Sequence, residues 1–454
     1  MIRRWREIEC WIEDDEAKHT GTYQEYPLSN FIARKIEAIN RAERPLETLN
    51  VIAKISFGGE LHIREMEKKR GYKGPLFEAA PGDLVISKIR VAQGSLCVVP
   101  DSLDHLAVSA EYPVYAVDHG KVRAEYLRLV IRTSAFQKRV SRLRSGNTTK
   151  ARIRPAQFEA LRVPVPSLDE QDALITAYTD ALTRAAQLEQ EAETIERAGW
   201  QAFETALGVA PSPPLPDRPV FVARFKDVER WSHESILRSS TNGPEHQHSW
   251  PIARLGDLVA DLENGWSPKC HDHPAREGKW GVLKLGAVSF GTFDATENKE
   301  LPASLKPRPE YEVKTGDVLI SRANVVRYVG ACAYVESTPP HLMLCDKIFR
   351  VRFRSNGKLL PRFLAEAMKL HSVREQIESR LTGTSPTMKN ISKPSLLGLE
   401  FPLPDIEVQE QLIEGVASAQ ATAVAKRSEA ATLRQSAWVA FESALFTAPE
   451  ETAA

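Results

Sequence analysis

The feature that most constrains this chain is an internal repeat at fixed spacing. Val163-Pro164-Val165-Pro166 has a counterpart in Phe401-Pro402-Leu403-Pro404. Each is followed by a Gln (Gln171, Gln409) and then by Leu-Ile (Leu174-Ile175, Leu412-Ile413). Further on, the Ala-Gly-Trp-Gln-Ala-Phe-Glu-Thr-Ala-Leu run ending at Leu207 matches Ser-Ala-Trp-Val-Ala-Phe-Glu-Ser-Ala-Leu ending at Leu445. From Pro164 to Pro402 is 238 positions, and from Trp200 to Trp438 is again 238. A gapless offset over this stretch means that one module is written out twice.

Upstream the match is looser. Gly82-Asp83-Leu84-Val85-Ile86-Ser87-Lys88 parallels Gly316-Asp317-Val318-Leu319-Ile320-Ser321-Arg322 at an offset of 234. Gly146-Asn147-Thr148-Thr149-Lys150 resembles Gly383-Thr384-Ser385-Pro386-Thr387, and each precedes a basic residue and an Ile. The helical parts are nearly copies and the globular parts have diverged. That contrast predicts a symmetric frame carrying two parts that recognise different things.

With 454 residues the chain exceeds one ordinary core, so two or more domains are expected. Lys+Arg and Asp+Glu cancel at 60 each, so net charge argues neither for nor against nucleic acid. Five irregularly spaced cysteines with no CxxC predict a reducing cytoplasm rather than a disulfide framework. The opening MIRRWREIECWIEDDE has charges where a signal peptide needs an apolar core. No apolar run is long enough to span a bilayer, and a cytoplasmic location is expected.

After each Pro-x-Pro the pattern becomes helical. Leu174, Tyr178, Ala181, Ala185, Leu188, Ala192, Ile195, Gly199, Ala202 and Ala206 form an a/d stripe. Leu412, Val416, Ala419, Ala423, Ala430, Leu433, Ala437, Ala440 and Ala444 form its counterpart, with Lys426 as a polar intruder. Runs of this kind would be about 60 Å long. The two helices are expected to pair as an antiparallel coiled coil; the alternative is that each packs on its own globular part. The first helix is acidic, with Asp169, Glu170, Asp172, Asp180, Glu189, Glu191, Glu193, Glu196 and Glu204 against Arg184 and Arg197. Such a surface repels DNA and suits either protein partners or plain solvation.

The expected division is a first domain at 1–162, a helix at 163–210, a Pro-rich linker at 211–219, a second domain at 220–400 and a second helix at 401–448. The fold class is α/β, mixed α+β, with two globular domains in pseudo-twofold arrangement separated by the helices. Leu84-Val85-Ile86 and Val318-Leu319-Ile320 read as buried strands after Gly-Asp turns. Segments 124–143 and 361–380 read as helices.

Basic residues concentrate in the globular parts. Arg128, Arg132, Lys138, Arg139, Arg142, Arg144, Lys150 and Arg152 lie between Arg123 and Arg154, against Glu125 alone. Lys347, Arg350, Arg352, Arg354, Lys358 and Arg362 repeat this more weakly. Beside Gly/Thr/Ser/Asn loops such groups suit phosphate contacts, or simply a solvated face. Base readout needs Arg or Lys for guanine and Asn or Gln for adenine. The candidate DNA-binding residues are Lys88, Arg90, Arg142, Arg144, Asn147, Thr148, Thr149, Lys150 and Arg152 in the first half. In the second they are Asn264, Trp266, Arg322, Asn324, Thr384, Ser385, Thr387 and Lys389.

No Walker A sequence, Gly-x-Gly-x-x-Gly, Gly-x-Ser-x-Gly or Asn/Asp-Pro-Pro-Tyr/Phe occurs. Cys270-His271-Asp272-His273 crowds one short loop, which does not suit a closed zinc site. No catalytic residue, metal or bound cofactor is therefore expected in this chain.

This architecture resembles the specificity subunit of type I restriction–modification enzymes, over essentially the whole chain. The resemblance rests on Gly316 to Arg322, the Gly-Thr/Ser loops and the Pro-x-Pro segments with their Gln-x-x-Leu-Ile. The opening before Tyr26-Pro27-Leu28 departs from the pattern more than Trp250-Pro251-Ile252 does. The resemblance implies two target recognition domains, each reading half of a split double-stranded DNA site, with the helices as a ruler. It also implies docking of two methyltransferase subunits, which bind S-adenosylmethionine and modify adenine, and of restriction subunits for cleavage. Two other readings stand beside it: a target reader for another methylation-based phage-defence system, and a coiled-coil protein-interaction scaffold.

Overall fold

The computed structural model describes residues 22–65, 72–143, 152–209, 250–355, 357–383 and 388–447. It divides into two compact units, Met1–Glu189 with Arg427–Ala454, and Gln190–Lys426.

In the first unit an antiparallel sheet has the order Ile32–Lys35, Val114–Val117, Leu84–Ile86, Leu96–Val98. A second sheet has the order Leu61–Ile63, Asn50–Ile55, Leu106–Val108, Phe77–Ala79, and its central pair is parallel. Leu84, Val85 and Ile86 are fully buried, as a short continuous apolar run requires of a strand covered on both faces. The preceding Gly-Asp is a turn with a mechanism. Gly82 takes φ +82°, which favours glycine, and Asp83 accepts the Ala80 N–H at 2.8 Å.

Helices α1 (Ala124–Val130), α2 (Ser134–Arg142) and α3 (Pro155–Glu159) pack on the first sheet's core. The sequence predicts one helix over 124–143, but the chain bends at Thr133, whose extended backbone and Oγ1 cap the Phe136 N–H. The bend lets Tyr126 and Leu127 of α1 and Phe136 and Val140 of α2 bury in one core. Strand Arg162–Pro164, paired with Glu25–Pro27, then leads into the long helix α4 (Leu168–Ala206).

The second unit repeats this plan. Its antiparallel sheet runs Val259–Asn264, Ile348–Phe353, Val318–Ser321, Cys332–Tyr334. Its mixed sheet runs Asn298–Glu300, Gly281–Leu283, Leu342–Met343, and the last pair is again parallel. Gly316 (φ +94°) and Asp317, which accepts the Lys314 N–H at 2.9 Å, rebuild the turn. Helices α5 (Leu255–Leu258), α6 (Pro361–Ala367), α7 (His371–Ser379) and α8 (Lys393–Leu397) follow, and the single helix expected over 361–380 is split at Leu370. Glu400–Pro402 pairs with Ile252–Arg254 and leads into α9 (Ile406–Phe446). Even an uncommon backbone recurs: His105 and His341 have φ +56° and +69°, each one residue before the parallel strand. The two sequences have drifted, and the path of the chain has not.

The long helices pack on each other rather than each on its globular part alone. In the first unit Ala185 and Leu188 meet Ala430 and Leu433, Tyr178 meets Trp438, and Glu189 pairs with Arg434. In the second, Glu191 pairs with Lys426, and a Cβ on Gly199 would sit 2.5 Å from that of Ala419. Rising numbers on α4 meet falling numbers on α9, so the helices are antiparallel.

One part of the expected stripe is corrected. Ala202 and Ala440 are exposed, whereas Phe203, Leu207, Phe441 and Leu445 are buried. Past Gly199 and Ala437 each helix meets a β-rich core as well as the other helix, and a step of four brings Phe and Leu onto it. Phe203 and Leu207 join the core of the second unit; Phe441 and Leu445 join that of the first. No helix among the described residues is long and apolar enough to cross a membrane.

Candidate nucleic-acid interface

Each unit has a junction where the buried Gly-Asp strand leaves its sheet. In the second unit Ala323–Asn324 pairs with Lys389–Asn390, with Asn324 opposite Lys389. The Ile391 N–H donates to the Arg322 carbonyl at 3.0 Å, and the Arg322 N–H to the Lys347 carbonyl at 2.9 Å. In the first unit the Ile153 N–H donates to the Lys88 carbonyl at 3.0 Å, and the Lys88 N–H to the Glu111 carbonyl at 3.1 Å. These two bonds recur in both units, but the chain after them differs, a turn and the 3-10 helix Val91–Gln93 in the first and the strand Ala323–Asn324 in the second, and so do the side chains.

These bonds bring together groups the sequence keeps apart. Lys88, Arg90 and Arg152 share the first junction, where Arg152 pairs with Glu111 at 3.0 Å and Arg90 lies over the Phe57 ring at 5.9 Å. Arg142 stands exposed in the last turn of α2. In the second unit Arg322 lies over the Phe349 ring, and Asn264 is the register partner of Phe349. Gly265 has no room for a Cβ, which would lie 1.9 Å from the Leu344 carbonyl oxygen. That close approach sets Trp266, whose N–H donates to the same carbonyl and whose ring lies 4.1 Å from the Arg308 guanidinium. Asn324 Oδ1 accepts the Val325 N–H, and Lys389 Nζ donates to the Gly383 carbonyl at 2.6 Å. Arg144, Asn147, Thr148, Thr149, Lys150, Thr384, Ser385 and Thr387, with the linker at 211–219, lie outside the described residues.

Several residues of the two basic runs are engaged in ion pairs or carbonyl bonds. Arg123 grips Asp172 through two bonds, Arg128 pairs with Glu125, and Arg139 grips Glu25. Arg350 is 2% exposed and binds Glu263, Asp317 and the carbonyls of Glu310 and Glu312. Arg352 shares Glu263, Arg354 donates to the Val259 carbonyl, and Arg362 pairs with Glu336. Arg350 and Arg352 share one face of the strand and one carboxylate, and only Arg350 is covered by the segment from Glu310 to Asp317, which a count of charges along the sequence does not register. The acidic character of α4 is also partly internal. Asp172, Glu189 and Glu191 are matched by Arg123, Arg434 and Lys426, and the guanidiniums hold the Asp172 and Glu189 carboxyls below their usual range.

In the Cys270–His273 loop the two His rings stack and Asp272 pairs with Lys299. Among the described residues no group of three or more His, Cys, Asp or Glu could hold a metal ion.

Sequence reasoning noticed the repeated Gln without finding its role. Gln171 is fully buried; its Oε1 accepts the Arg123 N–H at 2.8 Å and its Nε2 donates to the Pro166 carbonyl at 2.9 Å. Gln409, also fully buried, accepts the Leu360 N–H at 2.9 Å and donates to the Lys358 and Pro404 carbonyls. Each Gln clamps the start of a domain helix to the start of a long helix. Ile153 and Ile391 were the other signal: both follow the Gly-Thr/Ser loop, and both anchor it.

Two diverged heads on one duplicated frame, each presenting its own polar set at the same junction, define a class of modular recognition subunits built on paired helices. No family model matches the sequence. The chain is 24% identical over 417 residues to the type I restriction enzyme EcoEI specificity subunit of Escherichia coli, spanning 78% of this chain and 70% of that one. It is 23% identical over 351 residues to the EcoKI specificity subunit of Escherichia coli K12, spanning 74% and 67%. A chain solved in work on complex assembly and conformational transition of the type I R-M system shares the fold. Its TM-score is 0.58 at 16% identity, over 94% of this chain and 97% of that one. In sequence, over about three quarters of its length, the chain is thus similar to the specificity subunits of type I restriction enzymes.

Proposed function

We propose that each unit reads one half of a split, asymmetric double-stranded DNA site through its strand-exit junction. The observation that carries this reading is the pair of backbone bonds that recurs at both junctions, with unlike side chains around it. Lys88, Arg90 and Arg152 suit guanine edges and phosphates, whereas Asn264 and Asn324 beside Arg322 and Lys389 suit a mixed edge with adenine. Trp266 supplies a flat apolar surface beside them. The candidates in the two Gly-Thr/Ser loops, Asn147 to Lys150 and Thr384 to Thr387, extend the same segments.

Target recognition domains at 1–162 and 220–400 would be spaced by the segments 163–210 and 401–448. The helices within these, of 39 and 41 residues, are about 60 Å long each and act as the ruler. Two methyltransferase subunits dock on this frame and restriction subunits join for cleavage. S-adenosylmethionine binding, adenine flipping and methyl transfer belong to the methyltransferase. The complex works in the cytoplasm.

Mapping methylated adenines in a genome that expresses the chain with its methyltransferase tests this. The expected motif is split and non-palindromic; a continuous or palindromic motif contradicts two diverged readers. Arg90→Ala should relax one half-site only and Asn324→Ala the other only, each by about 1–3 kcal/mol of discrimination.

A further inference from the structure

The first unit contains a cavity of about 390 Å³ lined by Phe57, Gly94, Arg132, Gln137, Tyr178 and Trp438. Its polar groups are incompletely satisfied. Arg132 donates to the Phe57 carbonyl at 3.4 Å and pairs with no carboxylate among the described residues. Burial pulls its guanidinium below its usual value, and the neighbouring Arg128 is already paired with Glu125. Gln137 Nε2 donates to the Ile131 carbonyl, which fixes the amide, and its Oε1 is buried without a partner among the described residues. The Tyr178 and Trp438 rings meet edge to face, with centroids 5.7 Å apart.

In the second unit the corresponding helix positions carry side chains that are engaged with one another or with their neighbours. Helices α1 and α2 start at 124 and 134, and α6 and α7 at 361 and 371, an offset of 237 in both cases. Leu129, Arg132 and Gln137 therefore correspond to Glu366, Lys369 and Arg374. Glu366 pairs with Lys369 at 2.7 Å, with both side chains under 20% exposed. Arg374 lies over the Phe290 ring at 5.0 Å and donates to the Val329 carbonyl at 2.8 Å. In the first unit Leu129 supplies no carboxylate, and an amide stands where the space-filling guanidinium would be. The duplicated frame thus serves as an internal control, since the fold lets these positions engage one another or their neighbours.

We propose that this cavity binds an anion carried on a flat aromatic body. The anion sits on Arg132, the ring packs against Trp438 and Tyr178, and an N–H or O–H of the ligand donates to Gln137 Oε1. A guanidinium fork suits carboxylate or phosphate, a buried orphan acceptor calls for a donor, and the volume lies in the small-ligand range. A side chain on Gly94 (φ +84°) would meet the Phe57 carbonyl at 2.9 Å, so glycine keeps this wall thin.

Calorimetric titration of the full chain tests the proposal, with AMP and indole-2-carboxylate as the phosphate and carboxylate probes. At least one should saturate, while adenosine, indole and orthophosphate bind at least tenfold more weakly. Arg132→Met and Gln137→Arg should each weaken the binding probe at least tenfold. Gln137→Arg copies the second unit, so it keeps the test decisive should Arg132→Met fail to fold, and thermal melting reports folding for both. No saturable heat from either anionic probe overturns the proposal. So does equal binding of the uncharged or ring-free compounds, or undiminished binding in a folded Gln137→Arg.

Discussion

Replacing Gln409 with Leu should destabilise the second unit by about 2–6 kcal/mol while hardly changing the volume of its core. The wild-type amide is fully buried and makes three bonds, to the Leu360 N–H and to the carbonyls of Lys358 and Pro404, at 2.8–2.9 Å. Leu fills the space and leaves all three groups unpaired. The Pro404 bond is buried and loses the full penalty of an orphaned acceptor, about 1–3 kcal/mol. The other two are partly buried, so water recovers some of their loss and each contributes about 0.5–1.5 kcal/mol. At about 2–4 °C per kcal/mol for a domain of this size, the melting temperature should fall by roughly 5–15 °C. Scanning calorimetry reads the fall, and hydrogen exchange should show faster exchange of the Leu360 amide. Gln171→Leu should do the same to the Arg123 amide in the first unit. Gln420→Leu, at an exposed position of the same helix, is the control. If Gln409→Leu melts where the control melts and the Leu360 amide stays protected, the clamp does not couple domain to helix.

Three further outcomes follow from contacts described above. Gly199→Leu should lower thermal stability by about 1–3 kcal/mol because a Cβ there overlaps Ala419. Gly415→Ala, in open space on α9, should raise it by up to about 1 kcal/mol, and opposite shifts in one melting experiment check both. Arg350→Met should destabilise by about 3–5 kcal/mol in denaturant titration by leaving Asp317 and the Glu310 and Glu312 carbonyls without their guanidinium and Glu263 with Arg352 alone. The salt dependence of DNA binding should not change, whereas a fall in its slope would return Arg350 to the interface. Glu189 is held below its ordinary value of 4.5 by Arg434, so its folded value lies below its unfolded one. The stabilisation is then complete well above pH 4.5 and fades as the pH falls through the folded value. The melting difference between wild type and Arg434→Met should be present at neutral pH and vanish in acid; a constant difference would refute the pairing.

The frame was largely legible because it is made of short-range signals that occur twice. A constant offset, Pro-x-Pro strands, Gly-Asp turns and helical stripes can each be read without knowing what packs where. The stripe failed after Gly199 and Ala437, where a β-rich core joins the other helix as partner and Phe203 and Phe441 take over. Periodicity carries no record of that change. Parts of the basic runs were illegible for a related reason. Arg350 and Arg139 count as charge in a sequence, yet each meets a carboxylate 114 or fewer positions away that only the sheets bring near. The candidate site was half legible: Arg322, Asn324 and Lys389 were chosen separately, and their shared edge came from a two-residue strand pairing too short to predict.

Phe441 and Leu445 sit in the core built by Leu28, Tyr126 and Leu161. From Leu161 to Phe441 is 280 positions. At about 5–20 residues per second, a ribosome needs roughly 14–56 s to cover that distance. The first head is thus the first to be synthesised and the last to be finished, waiting half-built while the second head is made. A chain that stopped before Phe441 would hold all of the first unit's sheets and still lack part of their core.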